Sequence, residues 1–296
     1  MNGVINIFKP RGMTSHDVVS FLRRKLKIKK IGHAGTLDPN ASGVLPLCIG
    51  KGTKIAEFLL DLDKEYISEV TLGTRTDTQD MDGRVLAISD KKVKDDDIIE
   101  IMAKYRGELL QVPPMYSALK HKGKKLYQLA REGKVVPREA RKITIYKQEI
   151  LKIDNSRKIL FYTRCSKGTY IRSLCDNIGS DLGTYGYMSF LMRTGVGNFK
   201  IENAYGLSYL ENLSLDEISK ILIPIDEAID YIPYYAVDDI FYNNLINGNP
   251  IKVSPTDSNI VGRLQRVYCR ETFIGLGRIN EIDSDYFLKM EKVLVI

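Results

Sequence analysis

The sequence is poor in the residues from which redox, metal and disulfide chemistry are built. Its 296 residues include four cysteines, Cys48, Cys165, Cys175 and Cys269, none spaced C-x-x-C, and three histidines, His16, His33 and His121, that lie far apart. A zinc site needs clustered ligands, so no metal centre is expected. The cysteines read as reduced core residues, and no nearby base marks any of them as a catalytic thiol. No apolar run is long enough to span a bilayer, and "MNGVINIFKP" has no signal-peptide apolar region; no membrane association and a cytoplasmic location are expected. There is no fixed-period repeat and no low-complexity tract. "CIGKGTK" (48–54) is not a phosphate loop, because Gly52 follows Lys51 where Ser or Thr is required and position 45 is leucine.

What the chain does have is positive charge in two blocks. Residues 1–60 carry ten Lys or Arg against three acids, and residues 117–146 carry nine against two, whereas 61–116 carry eight against thirteen. Such blocks are the electrostatic footprint of a polyanionic partner, and basic runs are also simply solvated faces. Charge alone leaves both readings open.

Patterning predicts a mixed fold. "GVINIFK" reads as a strand, followed by a turn and a helix that Thr14 or Ser15 can cap, with Val18, Leu22 and Leu26 as its apolar stripe. "EYISEVTLG", "KITIYKQEILKI", "KILFYTRCS" and "YMSFLMRTGVG" read as strands, and "KGTYIRSLCDNIGSDLG" as a helix. "TRTDTQDMDGRV" reads as a turn-rich loop. A calcium loop starting at Thr78 would need glutamate at its twelfth position, which is Ser89, so the loop is assigned to structure. Strands and helices alternate without βαβ regularity, which favours the α+β class. The prolines of "IPIDEAIDYIPYY" suggest a domain boundary near residue 231, with a small all-β module over 232–296. The segment 117–142 holds Lys120, Lys122, Lys124, Lys125, Arg131, Lys134, Arg138, Arg141 and Lys142. It reads either as a surface helix with a charged face or as a protruding grip for phosphates.

One stretch, "GHAGTLDPNASGVLPL" (32–47), resists these readings. A solvated loop has no need to set a single acid, Asp38, between glycines and prolines and then turn apolar, and a helix would not accept that composition.

Six blocks in order carry a resemblance: "KPRGMTSHDVV" (9–19), "GHAGTLDPNASGVLPLCIGKGTK" (32–54), "KEYISEVTLGTRTDTQDMDG" (64–83), "QVPPMYSALKHKGKKLYQLAREG" (111–133), "CSKGTYIRSL" (165–174) and "FLMRTGVGNF" (190–199). They resemble the bacterial tRNA pseudouridine-55 synthases, the TruB family, through most of residues 1–231. "GNPIKV" and "FIGLGRI" in the tail are similar to that family's C-terminal PUA-like RNA-binding domain. The resemblance implies a mixed, largely antiparallel sheet in the catalytic domain, a tRNA T-loop substrate, and the conversion of uridine to pseudouridine by a monomer without cofactor, guide RNA or protein partner.

That reaction cuts the C1′–N1 bond, turns the uracil and joins C5 to C1′. Nothing is oxidised and nothing leaves, so one ionised carboxylate suffices where a hydrolytic glycosidase uses two. Asp38 matches the family's catalytic aspartate, Arg172 the arginine that orients it and keeps it ionised, and Tyr66 the tyrosine that stacks on the base and is proposed to move a proton. Leu191 matches an apolar wall of the base pocket, and Lys9 and Tyr170 fall in motifs beside it. The base must be flipped out of its stack, and His33 is the candidate to fill the gap. Lys120, Lys122, Lys124, Lys125, Arg131 and Arg141 are the expected RNA contacts. Two other readings remain at this point. A non-catalytic RNA-binding or tRNA-folding protein would not need Asp38, Tyr66, Arg172 and Leu191 together. A guide-RNA-dependent relative of the dyskerin type would not need the basic insertion.

Overall fold

A computed structural model describes residues 1–254 and 258–295. The chain opens with β1 (Gly3–Lys9), almost wholly buried, and turns through Pro10–Gly12 into α1 (Ser15–Leu26). Thr14 is the N-cap of α1: its hydroxyl accepts from the Asp17 N–H at 3.1 Å, and the Asp17 carboxylate accepts from the Thr14 N–H at 2.8 Å. This reciprocal capping box leaves Ser15 free for another task. β2 (Ile31–His33) and β3 (Ser42–Ile49) flank the 34–41 loop that carries Asp38, and α2 (Ala56–Leu60) follows.

Next come β4 (Lys64–Leu72), a side hairpin of β5 (Thr74–Thr76) and β6 (Val85–Ile88), α3 (Asp95–Lys104) and β7 (Gly107–Gln111). The chain then leaves the sheet for a small hairpin, β8 (Lys120–His121) and β9 (Lys124–Lys125), and the short α4 (Leu126–Arg131). It returns as β10 (Arg141–Asp154) and β11 (Lys158–Cys165), followed by α5 (Ile171–Asp181) and β12 (Gly186–Val196). β13 (Phe199–Lys200), β14 (Tyr205–Gly206), α6 (Leu207–Asn212) and α7 (Leu215–Lys220) complete this part.

The main sheet runs β14-β1-β3-β12-β4-β11-β10-β7, with β2 and β13 attached to β3 and β12. It is mixed. β12 pairs parallel to β3, joining Arg193 to Gly43, and antiparallel to β4, joining Arg193 to Tyr66. Gly43, Arg193 and Tyr66, far apart in sequence, therefore form one row across three strands. The parallel contact is close. Gly43 has φ +112°, and a Cβ there would lie 2.1 Å from the Arg193 carbonyl oxygen, so only glycine fits. α5 packs with β4, β11 and β12 around Val70, Phe161, Cys175, Ile178 and Leu191, while α1 packs on β1 and β3 through Val18, Leu22, Ile5, Leu45 and Leu47.

The tail forms a second sheet. β15 (Tyr234–Val237), α8 (Tyr242–Ile246), β16 (Ile251–Val253), β17 (Leu264–Cys269), β18 (Thr272–Ile282) and β19 (Asp285–Val293) give the strand order β15-β17-β18-β19-β16. β15, hidden in sequence by its prolines, is an edge strand starting just after Pro233 and paired on one side only, parallel to β17; there a missing N–H does no harm. The two sheets share a core: Leu276 and Leu294 pack in one cluster with Val4, Val44, Ile55 and Leu59. Among the described residues no helix is long and apolar enough to cross a membrane. All four cysteines are buried and unpaired, and burial pushes the Cys48 and Cys165 thiols up to about 12.

Candidate active site

The 34–41 loop has little freedom, because its backbone is tied on both sides of Asp38. The Ala34 N–H donates to the Pro46 carbonyl at 2.9 Å. Ser15, spared from capping, locks Leu37 through one hydroxyl that accepts from the Leu37 N–H at 2.8 Å and donates to its carbonyl at 3.1 Å. The Pro39 carbonyl accepts from the Gly12 N–H at 2.8 Å and from Lys9 Nζ at 3.3 Å. Arg193 Nη2 and Nη1 donate to the carbonyls of Gly35 (3.1 Å) and Thr36 (3.4 Å), while its Nε donates to Val44 at 2.7 Å. Asp38 is thus held from α1, β1, β3 and β12 at once.

Its carboxylate stays accessible, 39% exposed, and meets Arg172 Nε at 3.2 Å. Arg172, the second residue of α5, is only 9% exposed along its side chain. Its Nη1 reaches the Asp80 carboxylate and the Thr78 carbonyl at 3.4 Å, and its Nη2 donates to the Tyr116 carbonyl at 2.7 Å. One guanidinium therefore joins the Asp38 loop, the 77–83 loop and the root of the basic insertion. A planar fork of five donors can do this and an ammonium cannot. The 77–83 loop is fixed in turn: Gln79 Nε2 donates to Asp176 at 3.0 Å, Ser173 Oγ donates to Gln79 Oε1 at 2.7 Å, and Asn40 Nδ2 donates to Asp82. Burial raises the Asp80 carboxyl above the ordinary value, the Asp38 charge adds to this, and the Thr78 hydroxyl and Arg172 oppose it. The loop "TRTDTQDMDGRV", assigned to structure from its sequence, also brings Asp80 to the Arg172 guanidinium.

Tyr66 lies in the sheet row beside Arg193, half-buried, with Leu191 packed in the same cluster. Burial pushes its phenol up to about 12; the Arg193 charge pulls the other way and the Asp38 charge adds to the rise. The phenol keeps its proton throughout the neutral range. His33 ends β2, half-buried, with its Nδ1 enclosed and without a partner among the described residues, and its pKa is lowered by burial and by the Arg193 charge.

Two of the sequence-nominated contacts sit differently from expectation. Lys9 is 0% exposed, so its ammonium turns inward to the carbonyls of Pro10 (2.9 Å), Met13 (2.6 Å) and Pro39. Its pKa is lowered to about 8 by burial, against the pull of Asp38. It braces the loop instead of reaching for RNA. Arg141 belongs to β10 of the main sheet, paired with Gln111, and not to the protruding part of the insertion. Tyr170 is the N-cap residue of α5 and is half-buried.

The insertion is more ordered than its composition suggests. Met115, Leu126 and Leu129 form a small core with Tyr116, Leu119 and Val136. Lys120, Lys122, Lys124, Lys125 and Arg131 are all exposed. Glu132 pairs with Lys124 (3.8 Å) and Lys134 (2.8 Å), while Lys125 and Arg131 each stand 5.6 Å from the Tyr127 ring centroid. Among the described residues, no three His, Cys, Asp or Glu side chains converge as a metal site.

Sequence reasoning missed Arg193, 2% exposed and bonded to three backbone carbonyls. The signal was an arginine at an inward-facing position of an alternating strand, two residues after Leu191.

Residues 23–171 match the TruB family pseudouridylate synthase N-terminal domain, and residues 172–230 match the tRNA pseudouridylate synthase B C-terminal domain. The chain belongs to the TruB family. Among its relatives are proteins named tRNA pseudouridine synthase B from Alkaliphilus oremlandii, 45% identical over 99% of each chain, and from Clostridioides difficile, 43% identical over all of each chain. Its fold matches that of solved structures described as an archaeal box H/ACA sRNP Nop10-Cbf5 complex (TM-score 0.75, 28% identity, 99% of this chain and 86% of that chain) and a Cbf5-Nop10-Gar1 complex (TM-score 0.76, 29% identity, 99% and 85%). The fold is the α+β pseudouridine synthase fold. The junction between the two matched TruB segments falls between Ile171 and Arg172, inside α5, so both segments contribute to one sheet and one site.

Proposed function

We propose that this enzyme converts the uridine at position 55, in the T loop of tRNA, to pseudouridine, acting alone as a cytoplasmic monomer with Asp38 as its one reacting acid. The observation that carries this reading is the Asp38 carboxylate on its tied loop, 3.2 Å from the largely buried Arg172 and felt by the Tyr66 phenol.

With the target base flipped into the cleft, the C1′–N1 bond breaks and the detached base carries the bonding pair. The base turns so that C5 faces C1′, the new C–C bond forms, the C5 proton is lost and N1 ends protonated. Asp38 supplies the charge that stabilises or captures the electron-poor centre. Arg172 aims that carboxylate through its Nε at 3.2 Å. Holding it in near-attack geometry is worth about 7–11 kcal/mol of barrier. Tyr66 offers its face for stacking and a phenol that keeps its proton; Leu191 closes the apolar side of the pocket. His33, beside the loop, is assigned to the space the base vacates.

Binding is assigned to the exposed cations of 120–131 and to a PUA-like RNA-binding domain over 232–296, with recognition of loop shape and phosphates. Stand-alone action is favoured by the insertion and by relatives that match end to end and are named for tRNA. Purified protein incubated with an unmodified tRNA transcript should yield pseudouridine at position 55 without further components. No product, or product only when a guide RNA is supplied, contradicts the reading.

A further inference from the structure

Arg172 points at Asp38 from the first turn of α5, so whatever fixes that turn fixes the reacting carboxylate. The N-cap residue, Tyr170, is gripped by the side chain of Gln111. Gln111 Nε2 donates to the Tyr170 carbonyl at 3.0 Å, and Gln111 Oε1 accepts from the Tyr170 N–H at 2.8 Å. A carboxamide is the side chain that offers a donor and an acceptor in one plane at this spacing, and here it imitates a paired strand. The same Tyr170 carbonyl accepts from the Leu174 N–H at 3.1 Å and so starts the helix. Gln111 is itself immobile: it is 4% exposed and is the last residue of β7, its backbone paired with Arg141 of β10.

The same position is where the chain leaves the sheet for the basic insertion. Five residues on, the Tyr116 carbonyl accepts from Arg172 Nη2 at 2.7 Å. Two bridges from one excursion therefore close on Tyr170 and Arg172. The orientation of the guanidinium is referenced to the root of the insertion and not to its own helix alone.

We propose that Gln111 is a positioning residue for the reaction, aligning Arg172, and through it Asp38, by clamping both backbone groups of Tyr170. The inference rests on Asp38 and Arg172 being the reacting pair. Gln111 touches no substrate; its contribution is to geometry, where a displacement of about 1 Å is worth about 100-fold in rate.

The test is Gln111→Met, which keeps length and removes both hydrogen bonds, read in three ways. Single-turnover conversion of a tRNA transcript tritiated at uridine C5 should slow about 10- to 100-fold. The Kd for that transcript should stay within about threefold, because no RNA-facing group is removed. The Arg172 Nε–H resonance, assigned by its loss in Arg172→Lys, should move in the same direction as in Asp38→Asn. A folded Gln111→Met protein that turns over within about twofold of the wild type, or whose Arg172 resonance is unmoved, overturns the proposal. Should that variant not fold, Gln111→Glu keeps the acceptor for the Tyr170 N–H and is judged by the same readouts and limits. If the wild type itself leaves the T-loop uridine unconverted, the reaction reading fails on that result alone, while the Arg172 resonance still decides whether the clamp aligns the guanidinium.

Discussion

Arg193 donates to the Gly35 carbonyl at 3.1 Å from a strand that pairs with the start of β3 and along the whole of β4. Through this bond a residue of the sheet interior fixes a loop that precedes it by some 150 residues in sequence. Among the described residues its hydrogen-bond partners are three backbone carbonyls and the Tyr66 phenol, with no carboxylate, so the arrangement is specified by where those oxygens point. Arg193→Lys keeps the charge but lets one ammonium reach only part of the set. The expected loss is about 2–4 kcal/mol of unfolding free energy, measured by urea denaturation, with slower turnover in the folded fraction. Unchanged stability would refute the bracing role.

Tyr66→Phe separates stacking from the hydroxyl. The ring face remains, so tRNA Kd should change by less than about threefold, while single-turnover rate should fall about 100- to 10,000-fold if the phenol moves a proton. Because the phenol lies at about 12, wild-type activity should show no alkaline limb from this group below about pH 10. A variant with full rate limits Tyr66 to stacking.

Much of this site was readable from sequence because its chemistry sits in contiguous words. Asp38 stands in a run of glycine, proline and apolar residues that no ordinary loop needs, and Arg172 stands at a recognisable helix start. The strands β4, β10, β11 and β12 announced themselves by alternation. What stayed hidden depends on closure of the sheet. Asp80 looks like any turn acid until α5 brings Arg172 to it. Gln111 looks like a strand end until Tyr170 arrives. Lys9 is expected beside the pocket because it falls in a matching motif, and the packing of β1 under the Asp38 loop turns its ammonium inward to the Pro39 carbonyl. β15 was lost to its flanking prolines, which an edge strand tolerates.

Lys9 gives a pH test of that inward position. Its folded-state pKa, about 8, lies below its ordinary 10.5. Between these values the unfolded chain binds more protons, so stability rises with pH there. Below pH 8 both states are protonated and the burial penalty is constant. Relative to Lys9→Met, the wild type should gain up to about 3 kcal/mol between pH 8 and 10.5 and show no change between pH 6 and 7.5. Equal slopes for the two proteins in chemical denaturation would contradict the burial of the ammonium.

Lys120 and Lys122 are exposed on the insertion, and no ion pair engages them among the described residues. If each meets a phosphate, Lys120→Ala and Lys122→Ala should each weaken tRNA binding and reduce the slope of log Kd against log salt by about 1. Hydrogen exchange over residues 117–140 should slow when tRNA is added, because the small cluster around Leu126 and Leu129 protects little by itself. Equally strong protection with and without RNA would show that the segment is rigid beforehand.

In the proposed reaction a single carboxylate, Asp38, does the chemistry. Asp38→Asn preserves shape and hydrogen-bonding size while removing the charge that Arg172 holds at 3.2 Å. In a single experiment, purified Asp38→Asn is mixed with an unmodified tRNA transcript, its Kd is measured, and position 55 is mapped for pseudouridine. Binding should stay within about threefold of the wild type, with no detectable product. Pseudouridine formed at the wild-type rate would contradict that role.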